Sequence, residues 1–123
     1  MIRYLIDTCT LIGLQARNPK SLELMADKQF KDCAISLVTY IEFIGFYGID
    51  EKTAKYLTQI ASTFARLPID DETTANTIAI RQAHKIKLPD ALILATAKQH
   101  NLTLLTLDDK LQRLAQLAGV KIA

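Results

Sequence analysis

Four acidic residues, far apart in the sequence, stand close to the ends of predicted strands or the starts of predicted helices. They are Asp7, Glu42, Asp90 and Asp108. In parallel α/β sheets, ligands gather at the carboxyl ends of the strands, so we expect these four side chains to meet at one edge of a sheet. Carboxylates brought that close repel one another, and each resists ionisation unless a counter-charge is supplied. The set therefore predicts a cation-binding site.

A divalent metal ion is the counter-charge that such a set of oxygens would attract. Oxygen ligands suit Mg²⁺ or Mn²⁺ better than zinc. Mg²⁺ binds through one or two carboxylates and a substrate phosphate, so acids on several elements can seat one or two ions. An ion held in this way polarises a phosphodiester and lowers the pKa of a bound water. We therefore predict hydrolysis of a nucleic-acid backbone.

Each acid also has a purely structural interpretation. Asp7, Asp90 and Asp108 stand at predicted helix starts, where an Asp cap contributes about 1 kcal/mol to stability. Glu42 lies beyond a first turn, but Thr39 three residues earlier would allow a capping box. The residues alone leave the capping and the metal-binding interpretations open for all four acids.

The elements that must position the acids alternate between strands and helices. Apolar runs predict strands at Ile2 to Ile6, Cys33 to Ser36, Arg66 to Ile69 and Leu102 to Thr106, and Val120 to Ile122 would add an edge strand. This alternation predicts a three-layer α/β/α fold with a central, mainly parallel sheet of four to five strands. The chain has no linker, repeat or low-complexity tract, so residues 1–123 are expected to form a single domain.

Helical periodicity and capping residues place the helices between these strands. The predicted helices are Thr8 to Ala16, Ser21 to Lys28, Leu37 to Tyr47 ended by Gly48, one with Leu57, Ile60, Ala61 and Phe64 on its apolar face, one after Asp70 that buries Ala75, Ile78, Ala79 and Ala83, Ala91 to Gln99, and one capped by Asp108. The Ala91 to Gln99 segment is apolar almost all round, which predicts burial on every side.

Length and composition narrow the class of protein. The chain has 123 residues, half of them apolar, and a net charge of +2, which excludes a disordered chain. Its longest run without a charged side chain is ten residues, against the roughly 20 apolar residues of a membrane span. The N-terminus lacks the apolar core of a secretory signal, so a cytoplasmic protein with no membrane contact is expected. Cys9 and Cys33 have no zinc-binding or redox spacing and are predicted to be small buried residues.

Four short motifs follow one another along the chain. They are Asp7-Thr8, Ser36-x-x-Thr39-x-x-Glu42-x-x-Gly45, Leu88-Pro89-Asp90-Ala91-Leu92-Ile93-x-Ala95-x-Ala97, and Leu104-Leu105-Thr106-x-Asp108. In this order they resemble the motifs of PIN-domain nucleases, and the compact length is similar to that of VapC-type toxins of bacterial and archaeal toxin–antitoxin modules. The chain departs from the family at Cys9, where small polar residues are common, at Leu111, where an aromatic residue is frequent, and before Asp90, where a glycine is often seen.

This resemblance implies an acidic metal site with supporting hydroxyl groups. The catalytic residues and ligands of Mg²⁺ or Mn²⁺ that it implies are Asp7, Glu42, Asp90 and Asp108. The supporting residues that it implies are Thr8, Ser36 and Thr106. The family further implies an endoribonuclease that acts on RNA rather than DNA, a homodimer, and an antitoxin protein that blocks the acidic cleft.

A short basic cluster leads into the third acid. Arg81, Lys85 and Lys87, with His84 among them, could grip phosphates on either side of the scissile bond. The alternative is a solvated helix end, because Lys and Arg are favourable near the carboxyl terminus of a helix. The sequence excludes neither interpretation.

Two other functions fit parts of the sequence. In a phospho-receiver signalling module, Asp70 after the Arg66 to Ile69 strand would accept the phosphate, although only Asp7 stands where adjacent acids are needed. A PIN-like binding domain that no longer cleaves is the other alternative. The four glycines form neither a Gly-x-Gly-x-x-Gly motif nor a P-loop, which excludes those nucleotide-binding motifs.

Overall fold

Four short strands form one parallel sheet in the computed structural model, which describes residues 1–123. The strands are β1 (Tyr4–Ile6), β2 (Cys33–Ser36), β3 (Ala65–Leu67) and β4 (Thr103–Leu105), in the spatial order β3-β2-β1-β4. Tyr4 pairs with Cys33 on one side and with Thr103 on the other. Strands β1 and β4 are therefore neighbours, and the segments that follow them, with Asp7 and Asp108, leave the same edge of the sheet.

Seven helices flank the sheet, and none has the length and apolar composition that a membrane crossing requires. They are α1 (Thr8–Gln15), α2 (Pro19–Met25), α3 (Leu37–Ile44), α4 (Glu51–Ala61), α5 (Asp71–Ala83), α6 (Leu88–Gln99) and α7 (Asp109–Leu117). Successive strand residues point to opposite faces. Ile6 joins a core cluster with α1, α2 and α4, whereas Leu5 joins one with α5, α6 and α7. This arrangement confirms the predicted three-layer α/β/α fold.

The predicted fifth strand is wrong apart from one bridge. The segment Val120 to Ile122 meets β4 only where Leu104 pairs with Ile122. The N–H of Val120 is already used, because it donates to the carbonyl of Ala115 and closes the end of α7. Strand β3 also ends earlier than predicted, at Leu67, since Pro68 has no N–H to donate.

Helix α3 ends at Ile44, three residues before the predicted end. The N–H of Gly45 donates to the carbonyl oxygen of Ile41 at 2.6 Å. A Cβ at this glycine would lie 2.6 Å from the same oxygen, so only glycine fits so close to the last turn. Gly48, with φ +87°, belongs to the turn that follows and does not end the helix.

Helix α5 turns a different face inward from the one predicted. Thr73, Thr77 and Ile80 are its buried residues, whereas Ile78 of the predicted apolar face is 53% exposed. The buried threonines are tolerated because their hydroxyls have partners: Thr77 donates to a backbone carbonyl, and the Thr73 hydroxyl lies within hydrogen-bond distance of two side-chain oxygens. Helix α6 is buried along most of its length, as predicted.

Candidate metal centre

The structure brings the four predicted acids together. Asp7, Glu42, Asp90 and Asp108 line one cavity of about 330 Å³ at the carboxyl edge of the sheet. They reach it from the end of β1, from the middle of α3, from the first turn of α6 and from the start of α7. Four elements thus converge on one site, as the rule for parallel sheets predicts.

Asp7 is the buried and most firmly held member of the cluster. Its side chain is 2% exposed, and it caps α1 because Oδ1 accepts a hydrogen bond from the N–H of Thr10 at 2.8 Å. Its other oxygen, Oδ2, accepts a hydrogen bond from the hydroxyl of Thr106, which is itself 4% exposed. One carboxylate oxygen is therefore oriented by the first turn of α1 and the other by the residue that follows β4.

The loop after β4 is tied together by three hydrogen bonds. Thr106 Oγ1 accepts from the N–H of Asp108 at 3.1 Å, and Gln112 Nε2 donates to the Thr106 carbonyl at 2.9 Å. Asp108 Oδ1 caps α7 by accepting from the N–H of Lys110 at 2.9 Å. Asp108 is exposed and Oδ2 has no partner in this cap, so that oxygen is available to a ligand. Gln112 was not among the predicted site residues.

Glu42 is held by hydroxyl groups from two helices. Thr8 Oγ1 donates to Glu42 Oε1 at 2.7 Å, and Thr8 Oγ1 lies 3.1 Å from Thr39 Oγ1. Ser36 caps α3 by accepting from the N–H of Thr39 at 3.1 Å. The capping box between Thr39 and Glu42 is therefore wrong, because the helix begins three residues earlier. The supporting roles of Thr8 and Ser36 stay predictions, although Thr8 contacts Glu42 directly. Thr39 was not assigned a role in the site.

Asp90 lies where burial and the neighbouring carboxylates both act on its pKa. It does not cap α6, whose N-cap is Lys87 without a side-chain hydrogen bond, so the predicted capping role is wrong. Burial raises the pKa of Asp90 above its usual value, and the carboxylate of Asp108 raises this pKa further while Lys87 lowers it. Glu42 and Asp7 also raise it. Asp90 is thus close enough to the other three acids for their charges to oppose its ionisation.

Cys9 lies in the same cavity. It is exposed, whereas Cys33 is buried, so the prediction of two buried cysteines is wrong for Cys9. Burial raises the pKa of the Cys9 thiol, and the nearby carboxylates, Asp7 first, raise it further. The helical turn that follows Asp7 places this residue next to the acids, which a count of cysteine spacings cannot reveal.

The donor set fits a hard divalent cation. The chain contains one ion pair, Lys28 with Asp27, so no Lys or Arg side chain neutralises the four acids through a salt bridge. As the side chains are placed, no three of them already surround a common ion position. Mg²⁺ does not require that, because it keeps several waters and binds through one or two carboxylates. The fit thus rests on the oxygen donors and on their uncompensated charge.

The basic cluster does not line the acidic cavity. Arg81 and Lys85 are exposed and do not line the cavity, while His84 ends α5 and is half-buried. Lys87 is the only one of them whose charge lowers the pKa of Asp90. A role in binding substrate therefore stays a prediction for Arg81, Lys85 and Lys87.

The structure gives no support to the phospho-receiver alternative. Asp70 forms a capping box with Thr73 at the start of α5, and both of its carboxylate oxygens accept hydrogen bonds from Gln99 at 3.1 Å. It does not line the acidic cavity. Its carboxylate therefore joins α5 to α6 and does not lie among the four acids that line the cavity.

The model of one protein family, the PIN domain, matches residues 4–117. The chain belongs to the PIN domain family. This match covers most of the chain and confirms the predicted family. None of the curated proteins compared with the chain matches it.

Solved structures of toxin–antitoxin proteins share the fold. The chain is 34% identical to a chain of a toxin–antitoxin complex from Klebsiella pneumoniae, over 87% of this chain and 88% of that one, with a TM-score of 0.75. It is 26% identical to a chain of FitAcB from Neisseria gonorrhoeae, over 97% and 95%, with a TM-score of 0.76. A chain of VapBC2 from Rickettsia felis, solved with a promoter DNA fragment, is 21% identical over 100% and 98%, with a TM-score of 0.77, and supports the fold alone.

Proposed function

We propose that this PIN domain protein is an endoribonuclease that depends on Mg²⁺ or Mn²⁺ and is the toxin of a toxin–antitoxin pair. The observation that carries the proposal is the convergence of Asp7, Glu42, Asp90 and Asp108 on one cavity without a salt-bridged cation. These four residues are the proposed catalytic residues and metal ligands. RNA is preferred to DNA as the substrate because of the resemblance to PIN-domain nucleases.

The residues divide the work of holding the ion and the substrate. When bound, the cation would polarise the phosphodiester and lower the pKa of a water molecule. Asp7 is the fixed ligand, because Thr10 and Thr106 orient its carboxylate inside the protein. Glu42 and Asp108 each use one oxygen for a hydrogen bond within the chain and present the other to the cavity. A bound cation would offset the burial and the neighbouring negative charges that raise the pKa of Asp90.

Binding of RNA is proposed to involve the basic cluster. Lys87 is the member of this cluster whose charge acts on the acids, since it lowers the pKa of Asp90. Arg81 and Lys85 are exposed within six residues of Lys87 and would contact phosphates next to the cleaved bond. These contacts would position the backbone without reading its sequence.

The proposed partners are an antitoxin protein and a second copy of this chain. The similarity to the Klebsiella pneumoniae toxin–antitoxin complex supports an antitoxin. Exposed apolar side chains, among them Ile12 at the rim of the acidic cavity, Ile41, Phe46 and Tyr47, fit contacts with another protein. We further propose that residues 1–123 form a single domain and that the protein acts in the cytoplasm.

Cleavage of RNA by carboxylate-to-amide variants tests the proposal. Wild type, Asp7→Asn and Asp90→Asn are incubated with single-stranded RNA, structured RNA and single-stranded DNA, in Mg²⁺, in Mn²⁺ and in EDTA. Asp109→Asn is the matched control, because Asp109 is exposed, follows Asp108 and does not line the cavity. We expect cleavage of RNA by wild type and Asp109→Asn only, and none in EDTA.

The outcomes separate the proposed function from its alternatives. Cleavage that survives EDTA and both cavity substitutions would refute the metal mechanism. A wild-type protein that binds RNA without cleaving it, with either metal, would indicate the catalytically silent PIN-like binding domain. Loss of activity in Asp7→Asn and Asp90→Asn preparations also excludes a contaminating nuclease.

A further inference from the structure

We infer that Thr39 is a positioning residue, which holds Glu42 in place through a chain of hydroxyl groups and thereby sets the affinity of the acidic cavity for a divalent cation. The chain runs from Ser36 through Thr39 and Thr8 to Glu42, over distances of 3.3, 3.1 and 2.7 Å. It connects the end of β2 with α1 and α3. The inference rests on the proposed function only for what Glu42 binds.

The direction of these hydrogen bonds follows from the number of protons available. Each hydroxyl carries one proton to donate. Thr8 gives its proton to the Glu42 carboxylate, which has none to give in return. Thr39 must therefore donate to Thr8, and Ser36 to Thr39, while Ser36 accepts from the backbone N–H of Thr39. All three hydroxyl dipoles point the same way, with their positive ends towards Glu42.

The middle of this chain of hydroxyl groups is buried, so water cannot take the place of a lost hydroxyl there. Ser36 and Thr39 are both 0% exposed, whereas Thr8 is half-buried and Glu42 is exposed at the cavity. An exposed glutamate has several rotatable bonds, and it points at the cavity only if something restrains it. Thr8 supplies the contact, and Thr39 fixes the orientation of the Thr8 hydroxyl. Removal of the Thr39 hydroxyl leaves Thr8 without its buried donor and frees it to rotate.

A comparison of three variants tests this role. Thr39→Val keeps the shape of the side chain and removes the hydroxyl, whereas Thr39→Ser keeps the hydroxyl. Thr96→Val is the matched control, because Thr96 is also 0% exposed and its hydroxyl donates to the carbonyl of Leu92 within α6, at 2.8 Å. Thr39→Ala replaces Thr39→Val if valine prevents folding, which the melting temperature reveals.

Two measurements are made on the metal-free protein. Mn²⁺ alone is titrated into each variant by calorimetry, and the Glu42 carboxyl carbon is followed by NMR relaxation in protein labelled at glutamate. We expect Thr39→Val to bind Mn²⁺ roughly tenfold more weakly, as is usual when a residue behind a metal ligand is lost. Its Glu42 carboxyl should become more mobile. Thr39→Ser and Thr96→Val should stay close to wild type in both measurements.

The two proposals fail in different ways. If Thr39→Val had the same Mn²⁺ affinity and the same Glu42 mobility as wild type, the positioning role would be overturned. It would also be overturned if Thr39→Ser lost as much Mn²⁺ affinity as Thr39→Val, since packing would then be the cause. If wild type itself binds no Mn²⁺, the proposed function fails, and the mobility of Glu42 still decides whether Thr39 positions it.

Discussion

Replacement of Thr106 by valine removes the hydroxyl that joins Asp7 to the start of α7. Two hydrogen bonds are lost, one to the buried Asp7 carboxylate and one from the N–H of Asp108. A hydrogen bond to a charged group contributes about 1.5 to 3 kcal/mol, and one between neutral groups about 1 kcal/mol. We therefore expect Thr106→Val to lower the free energy of unfolding by about 2.5 to 4 kcal/mol. For a chain of this length that corresponds to a fall in Tm of roughly 10 °C.

Urea unfolding in EDTA measures this loss without interference from metal. Thr106→Ser is the control, since it keeps the hydroxyl and gives up only a methyl group, worth about 0.8 kcal/mol. The same substitution in an Asp7→Asn background isolates the contact, because the charge that strengthens the hydrogen bond is then absent. Thr106→Val should cost clearly less in that background than in wild type.

Two results would refute this account of the loop. If Thr106→Val were as stable as Thr106→Ser, the hydroxyl would contribute nothing beyond the shape of the side chain. If its cost were the same with and without the charge on Asp7, the hydrogen bond to the carboxylate would not be the source of the stability.

Three further predictions concern the charge of the cavity and the packing beside it. In EDTA, Asp90→Asn should be more stable than wild type at neutral pH, because the pKa of Asp90 is raised in the folded chain. The difference in free energy of unfolding, measured with urea, should grow as the pH rises from the ordinary pKa of Asp through the raised pKa of Asp90. A difference that does not depend on pH would contradict this prediction. Gly13→Ala should lower Tm, since a Cβ would overlap the Ser21 hydroxyl and lie 3.0 Å from Ser21 Cβ. Overpacking costs about 1 to 3 kcal/mol, against a gain of about 1 kcal/mol in helix propensity. Ser21→Gly should then lower Tm less in the Gly13→Ala variant than in wild type. Iodoacetamide at pH 8 should modify Cys9 more slowly than a free cysteine, because the pKa of its thiol is raised. The reaction of Cys9 should be faster in Asp90→Asn than in wild type. Mass spectrometry separates Cys9 from the buried Cys33, whose pKa is raised to about 11.

Part of the layout of the site could be predicted because the carboxyl ends of parallel strands meet at one edge of the sheet. Asp7 and Asp108 come shortly after two strands that the sequence marks by short apolar runs, and parallel strands end at the same edge. Strand β2 has its predicted bounds because Ser36 both ends the strand and caps the next helix. These signals are local, so one sequence is enough to read them.

The contacts that hold the supporting side chains in place could not be predicted, because they join distant elements; the roles of Thr8, Ser36 and Thr106 came only from the resemblance to PIN-domain nucleases. Thr39 meets Thr8 across 31 positions, where α1 packs against α3. Gln112 reaches back over the loop to the carbonyl of Thr106. For Thr39 a signal did exist: it stands three residues after the cap Ser36 and three before Glu42, so all three lie towards one side of the helix. The periodicity of α5 misled because Thr73, one of its buried polar residues, has a partner on α6.

Capping and metal binding, which the sequence leaves as alternatives, are compatible in this structure. A carboxylate has two oxygens and about four lone-pair positions. Asp108 uses one oxygen to cap α7, and this cap fixes the side chain so that the other oxygen is available at the cavity. Asp7 caps α1 in the same way while Thr106 orients its second oxygen. The positive ends of the dipoles of α1 and α7 also favour negative charge at these two positions. Asp90 caps no helix, and burial together with the charge of Asp108 raises its pKa, an effect that a bound cation would offset.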